Sequence, residues 1–364
     1  MSIYVSKEII MLGKNKVYLQ RFLILALIFA AVGLCSGFSG GKTNDEELDS
    51  VVDFVHELDD YVPKKERYNF YFTYKIVHPW WDAVALGMED AQKKYLEKGI
   101  VITYEYMAPK AASEEDQRKR LAAAEQGNYD VIGVDVADAK TITPVLDKMV
   151  DSGYKVMTFS SSDAEEGCKR IAYVGNTHNY QDGANLTEEL CQKLGYKGKV
   201  AILVGSPGAP CHEERAQGAK DTIAKYENME IVAVEYDKDS IDIAYDLTKQ
   251  ILKEQPEVNG FVCCNMSNPV GTARAVTELG SDAVIVGMDH DHDALNYLKD
   301  GVIYCLGVQD CYSIGFDTLQ VAVKIADGNV PGDLFPEKTT EMTTIIYQED
   351  APAMLEVLYG DALQ

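Results

Sequence analysis

The sequence predicts an α/β protein built as two doubly wound parallel-sheet lobes, and three observations carry that expectation. Short apolar runs alternate with amphipathic stretches that close on glycine, the pattern of strands feeding crossover helices. The alternation passes through five strands and then starts again for five more. Strand after strand ends on a polar or aromatic group, which places that group at the carboxyl edge of a parallel sheet, where open α/β folds bind small molecules. The stretch VIVGMDHDHDALNYLKDGVIYCLGVQ shows the device twice, one buried strand ending at Asp289 and the next at Gln309.

Length and composition bound the answer. A chain of 364 residues exceeds the usual size of one hydrophobic core and predicts two domains plus accessory segments. Its 46% hydrophobic residues supply ample apolar surface for folding. The formal charge of −24, with no basic run to interrupt it, argues against a nucleic-acid partner, because the phosphate backbone would repel such a surface. That acidity otherwise describes a solvated outer face.

The elements follow in order. Lys14, Lys16 and Arg21 precede the apolar run FLILALIFAAVGLC, Phe22 to Cys35, which is too short to span a bilayer comfortably. Residues 1–37 are therefore expected to be a secretory or lipoprotein signal, sending the rest to the periplasm or the outer face of the cytoplasmic membrane. Met11 offers a second start. Cys35 sits where a bacterial lipoprotein carries its acylated cysteine, although Leu34 is larger than the residue usual before it. Plain cleavage near Gly37 and a retained anchor are the other two readings. Loss of residues 1–35 removes Lys7, Lys14, Lys16 and Arg21 against Glu8, so the remainder is more acidic still. Residues 38–67 read as a linker with a short amphipathic helix, Leu48, Val51, Val52, Val55 and Leu58 falling at helical spacing before Pro63. That helix is expected to dock on its own domain.

From Tyr68 the strand runs are NFYFTYKIV (69–77), IVITYEYMA (100–108), YDVIGVDV (129–136), YKVMTFSS (154–161) and RIAYVG (170–175). Each crossover helix must return over one face of the sheet, and the unit is complete near Gly175. The second series runs KVAILVGS (199–206), EIVAVEYD (230–237), VNGFVCCN (258–265), AVIVGMD (283–289) and VIYCLGVQ (302–309), with helices at 180–195, 213–227, 241–254, 269–279 and 291–299. Two such units predict a hinged clamp around a solute. The seven cysteines after Cys35 show no C-x-x-C spacing, and several lie in apolar runs. They are expected to be small buried apolar groups, with at most one or two bridges.

In order and spacing, HPWWDAVALGMEDA, DVIGVDVADAKTITPVLDKMVDSGYKVMTF, YVGNTHNYQDGANLTEEL, VAILVGSPGAPCHEERAQGAKD, VNGFVCCNMSNPVGTARAVTELG and VIVGMDHDHDALNYLKDGVIYCLGVQD together carry a resemblance. From Tyr68 to Glu349 the chain resembles periplasmic binding proteins of the ribose-binding type, the solute receptors of sugar ABC transporters. The resemblance implies a hinge crossed three times, near Gly175–Asn176, Gln309–Asp310 and Thr339–Thr340. It implies an amino-terminal lobe of residues 68–175 plus 310–339 and a carboxy-terminal lobe of 176–309 plus 340–349, with 350–364 as a tail. GFDTLQVAVKIADG would be the last helix of the first lobe and TTIIYQ a strand returned to the second.

The resemblance also implies ligand contacts. Trp80 and Trp81, the only tryptophans, match the aromatic pair that holds a sugar ring, flat indoles desolvating the apolar face of a pyranose. His78 stands where the family often has an amide or histidine. Arg215 matches a ligand arginine with a two-oxygen fork; the blander account pairs it with Glu213 or Glu214 on the helix surface. Asn265, Asp289 and Gln309 match the polar groups at three strand ends, a set suited to a polyol. Two positions depart from the pattern. Met266 follows Asn265 in place of aspartate, and Ser160 replaces an aspartate after the fourth strand, leaving Asp163 or Asp138 to substitute.

The implied function is capture of a monosaccharide or similar polyol between the lobes and delivery to an ABC transporter permease. The alternative is a ligand-presenting sensor subunit for a chemoreceptor or histidine kinase. No cofactor, metal or enzymatic activity is expected. Asp289, Asp291, Asp293 and Asp300 imitate a calcium loop, but Ala294 stands where the loop needs glycine, and capping by Asp291 accounts for the pattern. GSPGAPC lacks the lysine-serine ending of a phosphate loop. Cys211 beside His212 suggests a thiol nucleophile, yet neighbours in sequence need not touch.

Overall fold

The computed structural model describes residues 56–77, 80–108 and 113–360. The signal segment with Cys35, most of the expected helix before Pro63, and His78 lie outside the described residues. A first βα series comprises β1 (Arg67–Thr73), α1 (Trp80–Glu97), β2 (Val101–Met107), α2 (Glu114–Ala124), β3 (Val131–Val134), α3 (Ala139–Asp151), β4 (Val156–Ser160) and β5 (Tyr173–Gly175). A second comprises α4 (Asn179–Lys193), β6 (Gly198–Val204), α5 (Pro210–Ile223), β7 (Met229–Tyr236), α6 (Ile241–Glu254), β8 (Gly260–Cys263), α7 (Ser267–Leu279), β9 (Val284–Met288), α8 (His292–Lys299) and β10 (Cys305–Gln309). α9 (Cys311–Ala326), β11 (Lys338–Thr340), β12 (Thr343–Ile346) and α10 (Ala351–Tyr359) complete the chain.

Two six-stranded sheets result. The first runs β2-β1-β3-β4-β5-β11, parallel throughout. The second runs β7-β6-β8-β9-β10-β12, parallel except for the antiparallel β10–β12 pair. β3, β4, β8 and β10 are buried along their whole length, as strands must be when helices cover both faces. The helix starts are written locally: Ser113, Asp138 and Ser240 accept the backbone N–H three residues on at α2, α3 and α6. Gly280 and Gly360 close α7 and α10 in the left-handed conformation.

The chain returns after the second series to finish the first core. Ile314, Phe316 and Leu319 of α9 pack with Phe70, Phe72 and Phe159 of the first sheet. α10 does the same for the second lobe, where Met354 and Leu355 join Leu203, Phe261, Ile285 and Leu306. The stretch expected to be a tail is thus largely a packed helix. α9 meets α1 backbone to backbone through two glycines: a Cβ on Gly315 would lie 1.9 Å from the Val84 carbonyl oxygen, and one on Gly87 2.0 Å from that of Tyr312.

Some strands are shorter than their apolar runs. Past Thr73 the Tyr74 N–H still donates to the Met107 carbonyl of β2 at 3.1 Å, but the Lys75 N–H leaves the ladder and donates to the Asp135 carboxylate at 2.9 Å. The described part of the expected amino-terminal helix, His56 to Tyr61, is not helical. It lies against the first lobe, where Leu58 and Tyr61 pack on the core, Asp59 pairs with Lys324, and Asp327 accepts from Tyr61 and Tyr68.

The chain passes between the sheets at 175–179, 309–311 and 340–343. Asn176 ties the three passages together, its amide donating to Gln309 Oε1 at 3.2 Å and Thr343 Oγ1 at 3.1 Å. The third passage lies two residues beyond its expected place, because β11 keeps pairing with β5 up to Thr340. There the Glu341 carboxyl is pushed up to about 8, burial contributing most and Asp317 and Asp310 adding to it.

Two outcomes follow. Gly315→Val should cost about 1 to 3 kcal/mol or more, since the α1–α9 contact must part; an unchanged urea midpoint would contradict that packing. A raised carboxyl contributes stability below its ordinary value near 4.5 that is lost as pH climbs through about 8. Glu341→Gln should therefore flatten the fall in melting temperature between pH 5 and 8, and a parallel profile for the variant would refute the assignment.

Candidate functional site

The carboxyl ends of both sheets face one another across a cleft: Ser160 and Gln309 end β4 and β10, Asn265 and Asp289 follow β8 and β9 by two residues and one, and Trp80, Trp81 and Arg215 lie in the first two turns of α1 and α5. Trp80, Trp81 and Ser160 line it from the first lobe, Arg215, Asn265, Asp289 and Gln309 from the second. The space they surround, open mouth included, measures about 440 Å³. Seven of the eight residues named from sequence are thus brought to one place, His78 lying outside the described residues.

Contacts cross the cleft directly. The Trp80 indole N–H donates to Asp289 Oδ1 at 3.1 Å, and Gln309 donates to the same oxygen. Ser161 donates to Gln309 Oε1 at 2.5 Å. Met266, in the place of the family's aspartate, is buried in the apolar cluster of the first lobe with both tryptophans. The indoles stand nearly perpendicular, 79° apart at 4.6 Å between ring centroids. Trp81 is backed by Tyr74 at 4.5 Å and Phe159 at 5.9 Å, so its ring is held on one side by core aromatics.

Strain marks the same strand ends. Ser160 has φ 100° and Asp289 φ 72°, left-handed values that non-glycine residues adopt at a cost of about 1 to 3 kcal/mol. The expected replacements for the missing aspartate at Ser160 are corrected by the structure. Asp163 is occupied by Arg170 at 2.6 Å, and Asp138 caps α3. The carboxylate on the first lobe is Asp135, which accepts from Ser160 Oγ at 2.5 Å and lines the cleft.

Arg215 is not the surface arginine of the blander account. It is 2% exposed, donating Nη1 to the Cys264 carbonyl at 3.2 Å and Nη2 to Asn179 at 2.8 Å. Its Nε–H meets no partner among the described residues. Asn265 works through its neighbours: its amide donates to Asp239 at 2.7 Å and Asp237 at 3.2 Å, fixing the two carboxylates that follow β7.

Sequence reasoning missed Lys75, Asp135 and Asp239 and discounted Cys211 and His212, all lining the cleft. Asp135 closes the apolar run VIGVD and Asp237 the run IVAVEYD, so the strand-end rule applied evenly would have named that aspartate and pointed to the loop holding Asp239. Lys75 lies within an apolar run and no local signal marks it, whereas Cys211 carries one in its neighbour His212. Lys75 is buried, and its ammonium is raised above its ordinary value because Cys211, Asp135 and Asp239 outweigh burial. Asp239 is drawn down to about 2, the effect of burial being overcome by His212 and Lys75. Burial pushes Asp237 up to about 6. His212 Nδ1 accepts the Ser206 N–H at 3.0 Å, and Nε2 faces Asp239 at 3.7 Å.

Donors and acceptors of both signs therefore converge beside an apolar indole wall. Asp291 accepts from Asp293 and Ala294 as the cap of α8, as its capping role requires. Among the described residues no cluster of His, Cys, Asp or Glu is placed to hold a metal ion, and all seven described cysteines are free. No helix among them is long and apolar enough to cross a membrane.

Two α/β lobes with opposed carboxyl edges and a polar cleft define a solute-binding architecture, and sequence comparison names its family. Residues 70–329 match the periplasmic binding protein domain, and the chain belongs to that family. It is 26% identical over 264 residues to the ribose import binding protein of Bacillus subtilis, covering 70% of this chain and 79% of the relative. It is 25% identical over 271 residues to the D-allose-binding periplasmic protein of Escherichia coli, covering 71% and 85%. Among solved structures, a glucose-galactose binding protein from Geobacillus stearothermophilus superposes with a TM-score of 0.71 at 27% identity, covering 79% of this chain and 99% of that one.

Proposed function

We propose that the chain is an extracytoplasmic receptor for an uncharged monosaccharide or closely related polyol, which it closes upon and hands to an ABC transporter permease. One observation carries the reading: an indole pair from one lobe and a hydrogen-bonding set of mixed charge from the other meet in a single cleft. Carboxylates at Asp135, Asp239 and Asp289 accept hydroxyl protons, while Lys75 and Arg215 donate to oxygens. Cations and carboxylates interleave, so no single-sign field selects a charged ligand. The sugars named for the relatives are consistent with that class.

Closure follows from bridging. A ligand that touches Trp80 and Asp135 on one lobe and Arg215 and Asp289 on the other interacts fully only when the lobes are shut, so it shifts the population toward the closed state. The Arg215 Nε–H, buried and without a partner among the described residues, leaves a donor for such a guest. Export to the periplasm or the outer membrane face, with or without a lipid on Cys35, fits a receptor that feeds a permease. Binding without chemical change fits the family, whose named relatives are binding proteins.

A thermal-shift screen of monosaccharides, polyols and nucleosides tests the class. A ligand held only by the native state at 100 times its dissociation constant should stabilise the protein by about 2.7 kcal/mol. A screen in which anionic metabolites shift the melting temperature and no neutral sugar does would overturn the reading. With the best ligand, Trp80→Ala should cost roughly 2 to 4 kcal/mol of affinity by analogy with large aromatic truncations. Asp289→Asn should weaken binding with little loss of stability, because asparagine keeps one acceptor oxygen and tolerates the left-handed backbone. Unchanged calorimetric affinity for both variants would remove these side chains from the ligand.

A further inference from the structure

We propose that Cys211 is a modification site within the cleft, a nucleophilic sulfur that small peroxides oxidise to the sulfenic acid and that couples the oxidation state of the surroundings to closure of the lobes. The geometry is specific to this cysteine. Cys211 is the second residue of the fourteen-residue helix α5, whose amino-terminal backbone favours a negative group. Across the cleft, Lys75 donates to Sγ at 3.6 Å and Ser162 at 3.1 Å, and both belong to the first lobe. The sulfur is therefore a clasp between lobes as well as a buried thiol.

The other cysteines give an internal contrast. Burial raises Cys168 and Cys191 to about 11 and Cys264 to about 12, and it raises Cys263, Cys305 and Cys311 as well. Burial acts on Cys211 too, but His212, Lys75 and Arg215 outweigh it and bring the thiol down to about 6. Arg215, 2% exposed, lines the same cavity, and its buried Nε–H without a partner among the described residues is a second sign that a polar or anionic atom is accommodated there. When the lobes part, Lys75 and Ser162 leave, whereas the helix terminus, His212 and Arg215 travel with the sulfur, so the nucleophile persists in the state that solvent can reach.

The step balances without further reagents. The thiolate sulfur attacks one peroxide oxygen; the S–O bond forms as the O–O bond breaks, and the leaving hydroxide takes a proton from solvent to give water. The added oxygen occupies the gap that Lys75 and Ser162 span, which disfavours the shut state. Chemical reactivity does not rest on the ligand reading; only the effect on closure does.

Native protein without added sugar is treated with iodoacetamide across pH 5 to 9, and separately with hydrogen peroxide followed by dimedone, with adducts located by mass spectrometry. Among the seven cysteines from Cys168 to Cys311, the expected result is one adduct, on Cys211, with a labelling midpoint below the ordinary thiol value of 9.0. Cys211→Ala, shown folded by its thermal transition, should lose the adduct. Labelling spread over several cysteines, or a Cys211 midpoint at the ordinary thiol value, would overturn the assignment. Peroxide should lower the melting temperature of the wild type and leave that of Cys211→Ala unchanged; equal shifts in both would remove the link to closure while leaving the sugar reading intact.

Discussion

The structure depends on a set of polar and ionised groups that neither lobe satisfies alone. Lys75 is buried with the Cys211 sulfur of the opposite lobe at its ammonium, Asp289 holds the indole N–H of Trp80, and Gln309 takes the hydroxyl of Ser161. A buried charge left without a partner is costly, so these groups must be met either by each other across the cleft or by water and ligand when the lobes part. Under the proposed function, that requirement makes the cleft bistable. The cores on either side contribute rigidity: both sheets are covered on both faces, and α1 and α9 touch at backbone distance through Gly87 and Gly315. Motion is left to the three passages that Asn176 ties together.

Local strain and burial are concentrated at the same place. Ser160 and Asp289, on opposite lobes, both hold left-handed backbone at the ends of β4 and β9, which turns their side chains into the cleft instead of along the sheet. A sequence selected for stability alone would place glycine or asparagine there. Their presence is consistent with a function that needs those two side chains aimed inward.

Much of the architecture was legible because it is written in short-range pattern. Alternating apolar runs and glycine-closed helices gave the order of strands through β10, and strand-end polarity led to Asp289, Gln309 and Asn265. The rest depends on tertiary proximity. Asp135 takes the part expected of Asp163 or Asp138 because Arg170 claims the one and α3 the other. Cys211 and His212 were set aside because adjacency along a chain says nothing of contact, and their electrostatic partner, Lys75, lies far off in sequence on the other lobe. The short β5 and the late third passage depend on how far β11 pairs, which periodicity does not encode.

Under the proposed function, a neutral, ring-shaped guest closes this cleft by bonding to both lobes at once. Small-angle X-ray scattering with and without a saturating sugar tests it most directly. A radius of gyration that falls on sugar addition in the wild type, and falls less in Asp289→Asn at equal sugar concentration, is the outcome this account requires. Binding detected by calorimetry with no change in the scattering profile would contradict it.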